Sequence, residues 1–187
     1  MRQVLILRSA SGSGKSTLVS RLEKEYGKPA YVCSADDYWY ADRDKTPENY
    51  LFDLNRLHIA HKECKDKFLA ALNDKEPLIV VDNTNIRYKE YKFYFKAAIS
   101  NGYNVTFHTI TNGSVEELVK SNVHKVPAEA IQRMLNDFLP TPKEIDGILT
   151  DEVVYDFHEL RGLNGQSNQE TKENIKRSGN GSELFER

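Results

Sequence analysis

The stretch Ser9-Ala10-Ser11-Gly12-Ser13-Gly14-Lys15-Ser16-Thr17 has the residue types needed to hold a polyphosphate. Gly12 and Gly14 can take positive φ without a Cβ clash. Successive backbone N–H groups can then converge on phosphate oxygens at the start of a helix, where the dipole also favours negative charge. Lys15 supplies a mobile cation for the terminal phosphates, and the Ser16 hydroxyl is placed to hold Mg²⁺. Laid over the pattern G-x-x-x-x-G-K-[ST], the stretch has Ser9 where the first glycine belongs. That position turns the chain out of a strand, which serine does at negative φ. On this reading Ser9→Gly changes nucleotide affinity little and costs about a few tenths of a kcal/mol.

Two more polar stretches suit phosphoryl chemistry. Transfer to a hydroxyl needs a carboxylate that orients the acceptor and takes its proton, and Asp36-Asp37 offers a pair. In an extended segment the two would point to opposite sides, so one faces the acceptor. Tyr38, Trp39 and Tyr40 follow as an aromatic cluster able to stack on a base or to pack the loop on a core. Asp82 closes an apolar run where a carboxylate can touch Mg²⁺ or its waters. Asn83, Thr84 and Asn85 fix the turn after it and are candidates for contact with the acceptor.

These stretches need a frame. Val4–Leu7 is a short apolar strand, and Leu18, Leu22 and Tyr26 give the next helix its stripe before Gly27 and Pro29 end it. Residues 30–34 read as a second strand. Leu54, Leu57, His61, Cys64, Phe68 and Leu72 mark a long helix, and "PLIVVD" is a fully buried strand of the parallel kind. Tyr88, Tyr91, Phe95, Ala98 and Ile99 define another helix, residues 103–110 another strand, and Ser114 with Glu117 a capping box. Pro127 opens a helix bearing Ile131, Met134, Leu135 and Phe138, and residues 152–158 read as a last strand. Strands alternating with helices imply a parallel sheet with helices on both faces, in which ligands bind beyond the carboxyl ends of the strands. All three polar stretches fall there.

Bulk composition narrows the partners. The 187 residues suffice for one domain, and a formal charge of −2 gives no global basic field for long duplex DNA or an anionic membrane. No apolar run approaches the ~18 residues of a membrane span, and Cys33 and Cys64 read as free thiols of a reducing, cytoplasmic setting. From Gly162 onward periodicity is lost. Residues 1–163 read as the domain and 164–187 as a polar, disordered tail.

Taken in order, Gly12-Ser13-Gly14-Lys15-Ser16, Asp36-Asp37-Tyr38, Asp82-Asn83-Thr84-Asn85, Glu117-Leu118-Val119-Lys120, Val126-Pro127 and Arg133-Met134 resemble the kinase domain of bacteriophage polynucleotide kinase. They are similar also to the kinase domains of the NEDD4-binding protein 2 group. The resemblance spans about residues 2–140. It implies a P-loop kinase fold with a short helical lid, ATP as donor with Mg²⁺, and transfer of the γ-phosphate to the 5′-hydroxyl of a nucleic acid. By that likeness Lys15, Asp36 and Arg133 are catalytic, with Asp36 the general base. The resemblance implies also that residues 11–17 with Lys120 and Lys125 hold the nucleotide and Ser16 the metal; from their positions, Asp82 is a second residue for the metal, and Asp37, Tyr38, Trp39 and residues 83–85 are expected to face the acceptor. The chain departs from the pattern in two places. Trp39 stands where the family has an acceptor-gripping arginine, and the lid segment "KSNVHKVP" offers Lys120, His124 and Lys125 in place of arginines. These departures favour, as alternatives, a kinase for a hydroxymethylated base or a small nucleoside, or a nucleotide-binding switch without transfer.

Overall fold

In a computed structural model, residues 1–40 and 45–162 are described. The tail assigned to residues 164–187 lies outside them.

Five strands form one parallel sheet in the order β2-β3-β1-β4-β7. They are β1 (Gln3–Arg8), β2 (Tyr31–Cys33), β3 (Leu78–Val81), β4 (Asn104–Thr111) and β7 (Asp151–Asp156). The helices are α1 (Lys15–Tyr26), α2 (Leu57–Asn73), α3 (Tyr88–Ser100), α4 (Val115–Ser121), α5 (Ala128–Asn136) and a single turn, α6 (Phe157–Leu160). A two-stranded hairpin, β5 (Glu144–Ile145) and β6 (Ile148–Leu149), precedes the edge strand.

Alternation along β1 builds two cores. Val4 and Ile6 pack with Cys64, Phe68, Tyr91, Tyr94 and Phe95 on the side of α2 and α3. Leu5 and Leu7 pack with Leu18, Leu22, Leu118, Ile131 and Phe157 on the side of α1, α4 and α5. Residues four apart on α1 thus face one core, and each fully buried aliphatic side chain contributes about 1.5–3 kcal/mol. This is the α/β architecture expected, with helices on both faces.

Arg8, the last residue of β1, is a buried charge held by its surroundings. Its guanidinium lies between the rings of Tyr91 (4.8 Å) and Phe138 (4.9 Å). It donates to the carbonyls of Asn85 (3.1 Å), Ile86 (3.2 Å) and Leu139 (2.8 Å), and to the hydroxyl of Thr141. One side chain therefore joins the end of β1, the turn after β3 and the segment after α5, which fixes the base of the site.

Three local readings change. Leu54 is exposed and belongs to a 3₁₀ turn, Leu54–Arg56, before α2 begins, so it lies off the helical stripe. His61 is exposed and lies off the buried stripe, while Cys64 packs inward as expected, beneath Tyr94. His158, placed in a strand by its neighbours, sits in α6, because Asp156 caps a new turn by accepting from the N–H groups of His158 and Glu159. Among the described residues, no helix is long and apolar enough to cross a membrane.

Candidate active site

The loop from β1 to α1 is built to leave donors free. Gly14, at φ 95°, precedes α1, whose first turn has neither a side-chain cap nor an acidic residue. Its N–H groups and positive dipole end therefore have no internal anion. Gly12, at φ 82°, lies so close to α4 that a Cβ there would stand 2.1 Å from the Leu118 carbonyl oxygen. Only glycine fits between the loop and that helix. Lys15 Nζ reaches back to the Ala10 carbonyl at 3.5 Å, and Ser11, Ser16 and Thr17 are accessible. Ser9 does not take positive φ. It is shut from solvent, with its N–H on the Thr84 carbonyl (2.9 Å) and its hydroxyl accepting from that of Ser13 (2.7 Å).

The loop after β3 is a framework. Asn85, at φ 47°, donates from Nδ2 to the Leu7 carbonyl at 2.7 Å. Asn83 Oδ1 accepts from the Ala35 N–H (2.9 Å), while its Nδ2 faces Cys64 Sγ and the Tyr94 hydroxyl. The Ser34 hydroxyl donates to the Asp82 carbonyl (2.9 Å) and accepts from the Asp36 N–H (3.2 Å). The ends of β1, β2 and β3 are thereby fastened together. Asn83 and Asn85, predicted to meet the acceptor, are instead spent on this fastening. Thr84 gives its carbonyl to Ser9 and is half-buried.

Asp82 differs from its neighbours. Its Oδ1 is buried with no hydrogen-bond partner, and burial pushes its carboxyl up, against the pull of the Lys15 ammonium. An orphaned carboxylate oxygen within electrostatic reach of the Lys15 ammonium fits a divalent cation. Asp82 and Ser16 are the residues that would hold one.

Asp36 and Asp37 lie on a 3₁₀ turn, Ala35–Trp39, rather than an extended segment, so strand alternation does not separate them. Their partners do. Asp37 binds Lys45 and, at 2.8 Å, Lys67 Nζ. Burial pushes its carboxyl up, but the two lysines outweigh burial and leave it below its ordinary value. The Asp36 side chain is 49% exposed, with Oδ1 accepting from the Tyr50 hydroxyl (2.9 Å) and Oδ2 4.0 Å from His124 Nε2. Trp39, predicted to face the acceptor, is 3% exposed and packs in the core against Tyr38 and Phe52. Tyr38 lies under the Arg56 guanidinium at 4.9 Å. The rings nearest Asp36 are those of Tyr50 and His124, stacked at 4.2 Å, with Tyr40 5.3 Å from Tyr50.

Among the described residues, no hydrogen bond or ion pair joins Lys120, Lys125 or Arg133, the cations implied by resemblance, to the phosphate loop. Arg133 is exposed, and its Nε donates to the Glu129 carbonyl of its own helix at 3.3 Å. Lys120 and Lys125 are exposed as well. Among the described residues, the guanidinium on the loop is that of Arg161, which donates to the Gly12 carbonyl at 3.3 Å and lies beside Gly14. It arrives from 149 residues away, on the end of α6, with no sequence signal to announce it.

Family comparison agrees with this geometry. A sequence model described as an AAA domain matches residues 4–140. The chain belongs to this family of P-loop kinase domains. NEDD4-binding protein 2 of Homo sapiens is 32% identical over 138 residues, which is 72% of this chain and 8% of that protein. The match therefore spans a small part of the relative. A chain of the Pnkp1/Rnl/Hen1 RNA repair complex superposes with a TM-score of 0.56 at 21% identity, over 73% of this chain and 43% of that one. A sugar kinase from Janibacter sp. HTCC2649 superposes at 0.53 and 18% identity, over 95% and 92%. The two structures share the fold alone. The fold is that of a nucleotide-binding phosphotransferase, and the resemblance read from the motifs holds.

Proposed function

We propose that this chain transfers the γ-phosphoryl group of ATP to the 5′-hydroxyl of a polynucleotide end, with Mg²⁺. The observation that carries this reading is the contrast between the two aspartates. Asp37 is neutralised by two lysines, while Asp36 is half-exposed and fastened through Ser34 to the Asp82 carbonyl just beyond β3. The ordered run of motifs shared with the NEDD4-binding protein 2 group supports a nucleic-acid acceptor.

Mg²⁺ and ATP, when bound, supply the phosphoryl group and neutralise its oxygens, with Ser16 and Asp82 holding the metal. The N–H groups of residues 12–17 bind the phosphates, and Lys15 meets the charge that builds on the transferring group. Arg161 is the cation placed to close over the loop. Asp36 accepts the proton of the acceptor hydroxyl as its oxygen bonds to phosphorus. The bond from that phosphorus to the bridging oxygen breaks, and ADP departs.

A second reading, transfer to a small nucleoside or a hydroxymethylated base, is favoured by Trp39. Where the resemblance expects an arginine for the acceptor's phosphate, the chain has a buried indole. Incubation with γ-labelled ATP and a panel of 5′-hydroxyl DNA, 5′-hydroxyl RNA, hydroxymethylated DNA and free nucleosides separates the two. Label on oligonucleotide 5′ ends, reduced by roughly 10²–10⁴-fold in Asp36→Asn, supports the first. Label confined to nucleosides or internal bases supports the second. Binding of ATP with no transfer to any acceptor refutes both and leaves a nucleotide-binding switch.

A further inference from the structure

Asp36 has one oxygen held and one free. Its Oδ1 accepts from the Tyr50 hydroxyl at 2.9 Å, and Oδ2 stands 4.0 Å from His124 Nε2, beyond hydrogen-bond reach. We infer that Tyr50 is a positioning residue for transfer, fixing the Asp36 carboxylate so that Oδ2 is presented to the acceptor hydroxyl; this rests on the reading of Asp36 as the base.

Tyr50 is itself fixed. It pairs with Tyr40 in an isolated antiparallel bridge, and the Leu51 N–H donates to the Trp39 carbonyl at 2.8 Å. Trp39 is anchored in the core, and Phe52 packs on it with centroids 5.0 Å apart. The Tyr50 ring is stacked by His124 and edged by Tyr40. A phenol held on several sides is a donor with little freedom left to lose. The carboxylate torsion it restrains is soft and roughly two-fold, so without a donor the two oxygens exchange roles freely. Burial, followed by the nearby Asp36 carboxylate, raises the pKa of the Tyr50 phenol, so it remains a donor across any assay range. The other titratable groups around Asp36 are Asp37 and Tyr40 in its own loop, His124 from the connection between α4 and α5, and, further off, Asp82 and His61.

The test is Tyr50→Phe, which keeps both ring contacts and removes the donor. Single-turnover transfer from γ-labelled ATP to the best acceptor of the panel should fall about 3–10-fold, with the ATP KM changed less than about twofold, because the lost bond was charge-assisted and lies away from the donor site. The Asp36 carboxyl resonance in ¹³C-aspartate-labelled protein, recorded without nucleotide, should change its chemical shift in Tyr50→Phe, because the carboxylate oxygen has lost its donor. An unmoved resonance, or an ATP KM that rises as far as the rate falls, overturns the inference, because the first shows that the phenol does not hold the carboxylate and the second that the substitution disturbs the donor site. Asp36→Asn is measured alongside. If it stays active the base reading fails, while the resonance still reports whether Tyr50 holds the carboxylate.

Discussion

The hydroxyl of Ser13 donates to the hydroxyl of Ser9 across 2.7 Å inside the phosphate loop, with both residues closed to solvent. Serine at the motif's first position is therefore part of the loop's internal bonding. Ser9→Gly strands the Ser13 hydroxyl in a buried place. Its cost becomes about 1–3 kcal/mol, well above the few tenths that backbone entropy alone suggests. Thermal denaturation and ATP calorimetry check this. Ser9→Gly should melt several degrees lower and bind ATP more weakly, and Ser9→Thr, which keeps the acceptor, should do better than Ser9→Ala. Equal behaviour of Gly, Ala and Thr at this position would show that the hydroxyl pair carries no weight.

Asp37 should separate stability from chemistry. It holds Lys45 and Lys67, which are themselves more exposed than it is, so solvent screens the pair. Asp37→Asn should lower stability by about 1 kcal/mol in denaturant titration and leave single-turnover transfer within about threefold. Asp36→Asn should do the opposite. A dead Asp37→Asn protein of normal stability would place the acceptor base one residue later.

What could be read without the structure was local. The strand, the loop and α1 announce themselves because an apolar run, two glycines and a helical stripe are neighbours in the chain. The two-sided core follows from alternation in β1, with Val4 and Ile6 against Leu5 and Leu7. The partners that set Asp36 and Asp37 apart were not legible. Five residues of 3₁₀ turn carry no period, and what distinguishes the two acids is Lys67 on α2 and Tyr50 on another loop. Trp39 reads as a free ring until Phe52 is seen against it, and Asn83 and Asn85 read as ligand contacts until their partners on the turn after β2 and on β1 appear. Arg161 could be found only by folding the chain.

Asp82 carries the metal prediction. In the metal-free protein its orphaned oxygen is an uncompensated buried acceptor, so Asp82→Asn should leave thermal stability unchanged or raise it by a few degrees in the presence of a chelator. Added Mg²⁺ and ATP should then reverse the order. The wild type should gain several degrees from the ligand pair, and Asp82→Asn should gain much less, with turnover down by at least about tenfold. The readout is the difference in Tm with and without Mg²⁺·ATP. An equal gain in both proteins would remove Asp82 from the metal site.

The pairing of His158 with Glu117 gives a pH dependence to the part of the site that carries Arg161. His158 Nε2 lies 2.9 Å from Glu117 Oε1, joining α6 to α4, and Asp156 lies 3.4 Å from the other ring nitrogen. The hydrogen bond to Glu117 raises the imidazole above its ordinary 6.5. Glu117 is held down to about 2, first by the Ser114 backbone and hydroxyl of the capping box and then by His158. For the raised histidine, the stabilisation is fully present below its ordinary value and is lost as pH rises through the folded one. For the depressed glutamate, it is present above the ordinary 4.5 and is lost as pH falls towards 2. The tie between α6 and α4 should thus be strongest between 4.5 and 6.5 and should loosen on the alkaline side as the imidazole loses its proton. Glu117→Gln keeps a side chain able to close the capping box and removes the charge. NMR titration of His158 should give a midpoint above 6.5 in the wild type and one displaced towards it in Glu117→Gln, with faster amide exchange at Arg161 and Gly162 in the variant. An unchanged midpoint would mean that Asp156 alone sets the histidine. Unchanged exchange would mean that Arg161 is held on the Gly12 carbonyl independently of this pair.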